Sequence, residues 1–237
     1  MLERTGEQRD PYGRCVAGTD WIDSTRQSYD TVASNYADFT RAAMDRVPVA
    51  NSFLDLFSTL VAGEGRVLDA GCGPGWVTAY LHDRGVDISG VDLSPRLIGI
   101  AQAHHPEISF DVGSITELPV PARSLAGLTC WWVLHHVPDS SLDAVLAQFF
   151  EKLEAGGYLL VGGHLGASTH TKTEGYGGLP MNVQMVKRPL DTVAGIIEAH
   201  GFVIDLQATL DPASNAPAFV LLAHTAKESP RDRVWSA

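Results

Sequence analysis

The chain has 237 residues, 45% of them hydrophobic and 19% charged, which suits one α/β domain with a sizeable core and not two. A formal net charge of −11 disfavours a nucleic-acid partner, which demands a basic stripe, and favours a small molecule. Three scattered cysteines (Cys15, Cys72, Cys130) fit neither a disulfide framework nor a zinc site. No apolar run reaches the ~20 residues of a membrane span and no signal-peptide core is present, so a cytoplasmic setting without membrane or metal is expected.

In chain order, residues 1–20 and 227–237 are polar and are expected to be flexible tails. Between them lie a helical cap at 21–62 and a main domain at 63–226. Ser24–Thr40 and Pro48–Leu60 read as the amphipathic helices of the cap. Tyr29 and Tyr36, seven apart, share one helix face, either as a closure over a ligand or as a packing stripe. Beyond the cap, strands are expected at Arg66–Ala70, Ile88–Asp92, Ile108–Val112, Leu128–Trp132 and Tyr158–His164. Helices are expected at Trp76–Asp83, Pro95–Ala103, Leu142–Leu153 and Leu190–His200, with Asp139 or Ser140 capping the third and Gly201 ending the last. This alternation describes a parallel sheet covered on both faces. Phe202–Thr209 and Ala218–Thr225 sit too close for a helix between them and should form an antiparallel edge hairpin.

The stretch 166–189 carries glycines and polar residues with no strong period, and it is long for a loop in a compact domain. It leaves the fifth strand at the edge where open α/β sheets bind ligands. An irregular lid on the acceptor side is expected there, the alternative being a variable surface insertion.

The run Val67-Leu68-Asp69-Ala70-Gly71-Cys72-Gly73-Pro74-Gly75 carries the chemistry, together with the later Gly90-Val91-Asp92-Leu93-Ser94. A strand ending in glycines exposes bare backbone to a ligand. An acid ending the next strand can accept both hydroxyls of a ribose. A dinucleotide fingerprint needs a third glycine at position 76, where Trp76 stands, and no P-loop is present. Asp69 would repel a phosphate and suits a cationic ligand such as one carrying a sulfonium and an ammonium.

These residues resemble the VLDxGCGxG pattern of class I S-adenosylmethionine-dependent methyltransferases. The resemblance implies S-adenosylmethionine as cofactor and S-adenosylhomocysteine as product. It also implies a Rossmann-like, seven-stranded, mostly parallel sheet with an antiparallel edge strand beneath a helical N-terminal cap. Gly71, Cys72 and Gly73 would then face the methionine half, Asp92 the ribose and Leu93 one face of the adenine. Gly113-Ser114-Ile115 stands where the family has G-D-A, which leaves Ser114 as a weaker acceptor for the adenine amino group and Ile115 as an apolar wall. The fourth strand, through Cys130-Trp131-Trp132-Val133-Leu134-His135-His136-Val137, is similar to the family's S-x-x-V-L-H-H-V. Cys130 would touch the cofactor through its backbone or simply be a small buried residue. One of Trp131 and Trp132 would border the ligands while the other joins the core. Tyr29-Asp30-x-x-Ala33-x-x-Tyr36 is similar to the N-terminal motif of small-molecule members.

Methyl transfer is an in-line displacement in which the protein positions the acceptor and excludes water. A general base is needed only where the nucleophile arrives protonated. His136 and His164, at the ends of the fourth and fifth strands, are the candidates, with His170 and Tyr176 as weaker ones. His135 and His136 point apart, so one at most should reach an acceptor. The acceptor is expected to be a small molecule of specialised metabolism methylated on oxygen, since the N/D-P-P-[YF] motif of nitrogen-directed enzymes is absent. A nitrogen or carbon acceptor, or a non-catalytic cofactor-binding module, is the alternative. A monomer or homodimer is expected.

Overall fold

The computed structural model describes residues 20–46 and 48–227; Cys15 and almost all of the two expected tails lie outside them. Helices α1 (Asp20–Arg46) and α2 (Pro48–Val61) form the cap. The sheet units follow: β1 (Val67–Ala70), α3 (Trp76–His82), β2 (Ile88–Asp92), α4 (Pro95–His104), β3 (Phe110–Val112) and β4 (Leu125–Trp131). Next come α5 (Asp139–Lys152), β5 (Leu153–His164), β6 (Ser168–Gly175) and β7 (Leu179–Lys187). The described chain closes with α6 (Leu190–Ala199), β8 (Phe202–Leu210) and β9 (Ala218–Thr225).

Seven strands form one sheet in the order β3-β2-β1-β4-β5-β9-β8. The first five are mutually parallel, and β9 runs antiparallel to both β5 and β8, as expected for the reversed edge. Strand order reverses beside β1, so a crevice opens at the carboxyl ends of β1 and β4. Covering both faces requires continuous apolar strands, and every residue of β1 is buried. Alternate side chains feed two cores. Leu159, Val161 and Leu221 pack with Phe149 and Ile197 on the α5–α6 face, whereas Leu160 and Leu222 pack with Leu54, Phe57 and Leu81 on the α2–α3 face.

Several boundaries differ from expectation. Strands β4 and β5 begin early because Leu125 pairs with Leu153 across an irregular register, while β3 begins only at Phe110. Helix α5 starts at Asp139 with Pro138 as its N-cap and no capping side chain. Neither Asp139 nor Ser140 caps it: the Asp139 carboxylate accepts instead from Nε of Arg188 at 2.8 Å. Gly201 does end α6 in the left-handed conformation, at φ +92°.

The larger correction is at 166–189, which is not irregular. It folds into the antiparallel hairpin β6–β7, turning at Tyr176-Gly177-Gly178 with all three residues at positive φ. One face of β7 (Met181, Val183, Met185) is buried against Val32, Tyr29 and Tyr36 of α1. Ser28 Oγ accepts from the Asn182 amide at 2.8 Å, and Ser24 Oγ donates to the Asn182 carbonyl. The hairpin and the first cap helix therefore form one layer over the carboxyl ends of the strands.

Candidate active site

The turn after β1 depends on its glycines. Gly71 lies at φ +84°, and a Cβ there would come within 2.4 Å of the Val133 side chain. The amides of Gly71 and Cys72 both donate to the Val91 carbonyl, at 2.7 and 3.0 Å. Gly75, also at φ +84°, is the N-cap of α3, and a Cβ there would meet Phe110 at 2.9 Å and Ala101 at 3.0 Å. The close helix–sheet approach expected of a third glycine is thus made at Gly75. Trp76 turns away, donating from Nε1 to the Ala37 carbonyl of α1 at 3.0 Å.

Two carboxylates support this turn. Asp69 is buried and accepts from the hydroxyls of Thr78 and Thr129, each at 2.7 Å; burial raises its carboxyl against those two bonds. Asp92 accepts from the Gly73 amide through Oδ2 and from the Ser94 amide through Oδ1, both at 2.8 Å. Burial pushes it up to about 6, against the pull of those amides.

A cavity of about 320 Å³ lies between the turn, the cap and the ends of β4 and β5. That volume is at the small end of the range for one ligand. Tyr29, Tyr36 and Phe39 line it from α1, Gly71, Cys72, Gly73 and Asp69 from below, and Tyr176 from the hairpin tip. Tyr36 meets Tyr29 edge to face at 5.0 Å and Tyr176 at 4.9 Å, and burial raises all three phenols. A larger open groove of about 530 Å³ between α1 and α4 touches none of the glycine turn.

The far wall comes from the segment after β4. Trp132 stands at φ +59°, an uncommon conformation for a non-glycine residue. This breaks the strand's alternation, so Trp131 and Trp132 both line the cavity with rings 5.0 Å apart. A short 3-10 turn over Leu134–His136 follows. It places His135 in the cavity wall 4.9 Å, ring to ring, from His164 at the end of β5. Nδ1 of each is buried without a hydrogen-bond partner. Burial lowers both imidazoles below the usual histidine range; the neighbouring imidazoles lower His135 further, and Lys172 and Lys187 lower both.

His136 does something else. Its Nε2 meets the Tyr29 hydroxyl at 2.8 Å and its Nδ1 faces the Gln184 carbonyl of β7 at 3.4 Å. Burial pushes it down to about 4, so it is a neutral bracket between α1, the turn and β7. Of the expected site residues, Tyr29, Tyr36, Asp69, Gly71, Cys72, Gly73, Trp131 and His164 line the cavity. Asp92, Leu93, Ser114, Ile115, Cys130 and His136 lie outside its lining. Ser114 Oγ is paired with Thr116 Oγ1 at 2.8 Å, and Ile115 and Cys130 are packed in the core. His170 is exposed on β6. Only one of Trp131 and Trp132 was expected to border the ligands, and His136 was preferred to His135; both tryptophans and His135 line the wall, because the sequence did not announce the direction of the turn.

Residues 67–157 match a family model described as a methyltransferase domain. That stretch of the chain is thus similar to a methyltransferase domain, as the glycine turn's resemblance to the class I S-adenosylmethionine-dependent enzymes implied. The chain is similar to a ubiquinone biosynthesis O-methyltransferase of Xylella fastidiosa (strain M23), 32% identical over 158 residues, which is 56% of this chain and 62% of the relative. A malonyl-[acyl-carrier protein] O-methyltransferase of Erwinia billingiae (strain Eb661) is 34% identical over 95 residues, 40% of this chain and 37% of the relative. The matches span 41% and 62% of the first curated relatives' own lengths. The methyltransferase fold extends further. A Burkholderia thailandensis 1,6-didemethyltoxoflavin-N1-methyltransferase, solved with its acceptor and S-adenosylhomocysteine, superposes with a TM-score of 0.66 at 19% identity, covering 91% of this chain and 93% of that one. The [4+2]-cyclase SpnF superposes at 0.60 with 17% identity, covering 76% and 82%. Among the described residues no helix is long and apolar enough to cross a membrane, and no three His, Cys, Asp or Glu side chains are grouped to hold a metal.

The site suits S-adenosylmethionine, the cofactor that the resemblance implies. The glycine turn gives the cavity a floor of bare backbone, and Asp69, its oxygens bonded to Thr78 and Thr129, places a buried carboxylate at the edge of that floor, which suits a cationic ligand. Asp92 lies one hydrogen bond beneath that floor.

Proposed function

We propose that this chain transfers a methyl group from S-adenosylmethionine to an oxygen of a small molecule. The observation that carries this reading is one cavity joining the glycine turn to two unpartnered imidazoles. S-adenosylmethionine, when bound, supplies a methyl group already activated on a sulfonium.

The chain contributes position, dryness and a proton acceptor. Gly71, Cys72 and Gly73 provide backbone and Asp69 negative charge at the donor end, with Asp92 and Leu93 at the edge nearest the ribose. Tyr29, Tyr36 and Tyr176 close the roof. His164 and His135, held neutral by burial, are placed to take a proton from a hydroxyl acceptor at neutral pH. Of the two imidazoles first considered, His164 keeps the role of base. His136 is assigned to bracing, and His135 replaces it.

The curated relatives named above are O-methyltransferases, which supports an oxygen acceptor. A ring nitrogen is the second reading, favoured by the N1-methyltransferase whose fold covers most of the chain. SpnF, a cyclase, illustrates that a fold of this kind does not by itself specify a reaction.

The test is calorimetric titration with S-adenosylhomocysteine, followed by radiolabelled methyl transfer to a panel of phenols, carboxylates and amines. Binding together with labelled phenols or carboxylates is the expected result. Absence of S-adenosylhomocysteine binding would overturn the reading, and labelling confined to amines would replace oxygen with nitrogen.

A further inference from the structure

Charge is divided unevenly around the cavity. Asp69 lines its donor end, where Asp92 supports the floor. Trp132, His135, His164 and Tyr176 form another part of its wall. Two lysines of the hairpin stand behind that wall. Lys172 holds Nζ 4.1 Å from the centroid of the Tyr176 ring, and Lys187 packs along Gly166, just past His164. Neither has a carboxylate within ion-pair distance among the described residues. Both bear electrostatically on His135 and His164, and no carboxylate is prominent there.

This arrangement runs against the protein's overall balance, a net charge of −11. Both lysines are half-buried, and burial lowers the Lys172 ammonium below the ordinary lysine range, a cost that no counter-ion offsets. The two orphaned Nδ1 atoms beside them are likewise unsatisfied in the free protein. One ligand group would answer both: a negative charge bearing oxygens that can share hydrogen bonds with neutral imidazoles. The walls also specify shape. The Trp131–Trp132 pair and Tyr176 present ring faces and edges, which suit a flat partner.

The geometry points to a planar aromatic carboxylic acid as the acceptor, seated against Trp132 and Tyr176 with its carboxylate toward Lys172 and Lys187. The term acceptor rests on the methyl-transfer reading; the anion site itself is a statement about binding and stands or falls without turnover. A cationic donor and an anionic acceptor would then meet in one cavity, each opposite the charge that suits it.

Binding at equilibrium tests this. Each hydroxybenzoate isomer and its amide, which share one shape, are titrated calorimetrically into the full chain with S-adenosylhomocysteine present. At least one acid should bind about tenfold or more tightly than its amide, the effect of roughly one favourable charge interaction at a protein surface. The preference should fall to about twofold or less in Lys172→Met/Lys187→Met and persist in Lys172→Arg/Lys187→Arg. Equal binding of every pair, no binding of any acid, or a preference that survives the methionine variant would overturn the proposal. S-adenosylhomocysteine is titrated alone on the same preparations. If it binds while the pairs stay equal, the acceptor class fails and methyl transfer stands. If it does not bind while an acid is still preferred, the anion site stands and methyl transfer fails.

Discussion

The hydroxyl of Tyr29 and Nε2 of His136 meet at 2.8 Å, and this contact fastens the first cap helix to the turn after β4. His136 is buried and Tyr29 half-buried, so the imidazole nitrogen has no ready replacement for this bond. Tyr29→Phe keeps the ring that packs on Tyr36 and leaves the imidazole nitrogen without a partner. The expected cost is about 1–2 kcal/mol of stability, read from the urea midpoint. An unchanged midpoint would show that the contact adds nothing net.

Acid should weaken the fold in a defined window. His136 is pushed down to about 4 from an ordinary 6.5, and His135 and His164 are lowered as well. Between those pH values the unfolded chain binds protons that the native chain refuses. The contribution of His136 is therefore full above pH 6.5 and is lost as pH falls through 4. Asp92 has the opposite sign: raised from 3.8 to about 6, its contribution is present at low pH and lost as pH rises through 6. His136→Gln removes one imidazole and leaves Asp92, so the variant should lose less stability than the parent between pH 6.5 and 4. Parallel losses in urea titrations across that range would show that His136 is not the group responsible.

His164→Gln and His135→Gln should each leave S-adenosylhomocysteine affinity within about twofold while slowing turnover of a phenol by about a hundredfold, the usual contribution of a positioned base. Because burial lowers both imidazoles, they are already neutral at neutral pH, and the parent's turnover should fall only on the acid side of 6.5. A full rate in both variants would leave the acceptor deprotonated by solvent.

The floor of the site depends on one missing side chain. A Cβ at position 71 would strike Val133 at 2.4 Å on a backbone already at φ +84°. Gly71→Ala should cost about 1–3 kcal/mol and weaken S-adenosylhomocysteine binding with it, since the same shift displaces the cavity floor. Val133→Ala in that background should restore part of both losses, as calorimetry and urea titration would show. Rescue of neither would place the strain in the backbone alone.

Much of the glycine turn and its two strand ends was legible because its signals are local. The spacing of Asp69, Gly71, Gly73 and Asp92 places two strand ends and a turn with no tertiary information. The partners of Asp69 were not legible, since Thr78 lies on the next helix and Thr129 on a strand 60 residues away. The direction of the paired histidines was also hidden. It follows from Trp132 leaving the strand at positive φ, a conformation no local preference announces. The hairpin is a different kind of miss. Met181, Val183 and Met185 alternate with Asn182 and Gln184, a period-two pattern beside a Gly-Gly turn. The glycines and threonines around it masked that pattern as loop composition.

Arg188 fixes the direction of the histidine turn. Its side chain is buried, with Nη1 donating to the Leu134 carbonyl at 3.1 Å and Nη2 to the Val137 carbonyl at 2.7 Å. Those carbonyls bracket His135 and His136. Nε also meets Asp139, but that carboxylate side chain is 80% exposed, so screening by water leaves the ion pair little weight. The two carbonyls matter more, because water cannot readily replace the guanidinium there. Arg188→Met should therefore cost about 2–4 kcal/mol and slow turnover, while Asp139→Asn should cost under about 0.5 kcal/mol. Arg188→Lys, with a single donor group and no fork, should recover only part of the loss. Since the glycine turn lies on the neighbouring strand, S-adenosylhomocysteine affinity should hold in all three variants, dividing acceptor-side geometry from the donor side. Equal destabilisation by Asp139→Asn and Arg188→Met in urea titrations would assign the stability to the ion pair instead, and a loss of S-adenosylhomocysteine binding in Arg188→Met would mean that the turn supports both halves of the site.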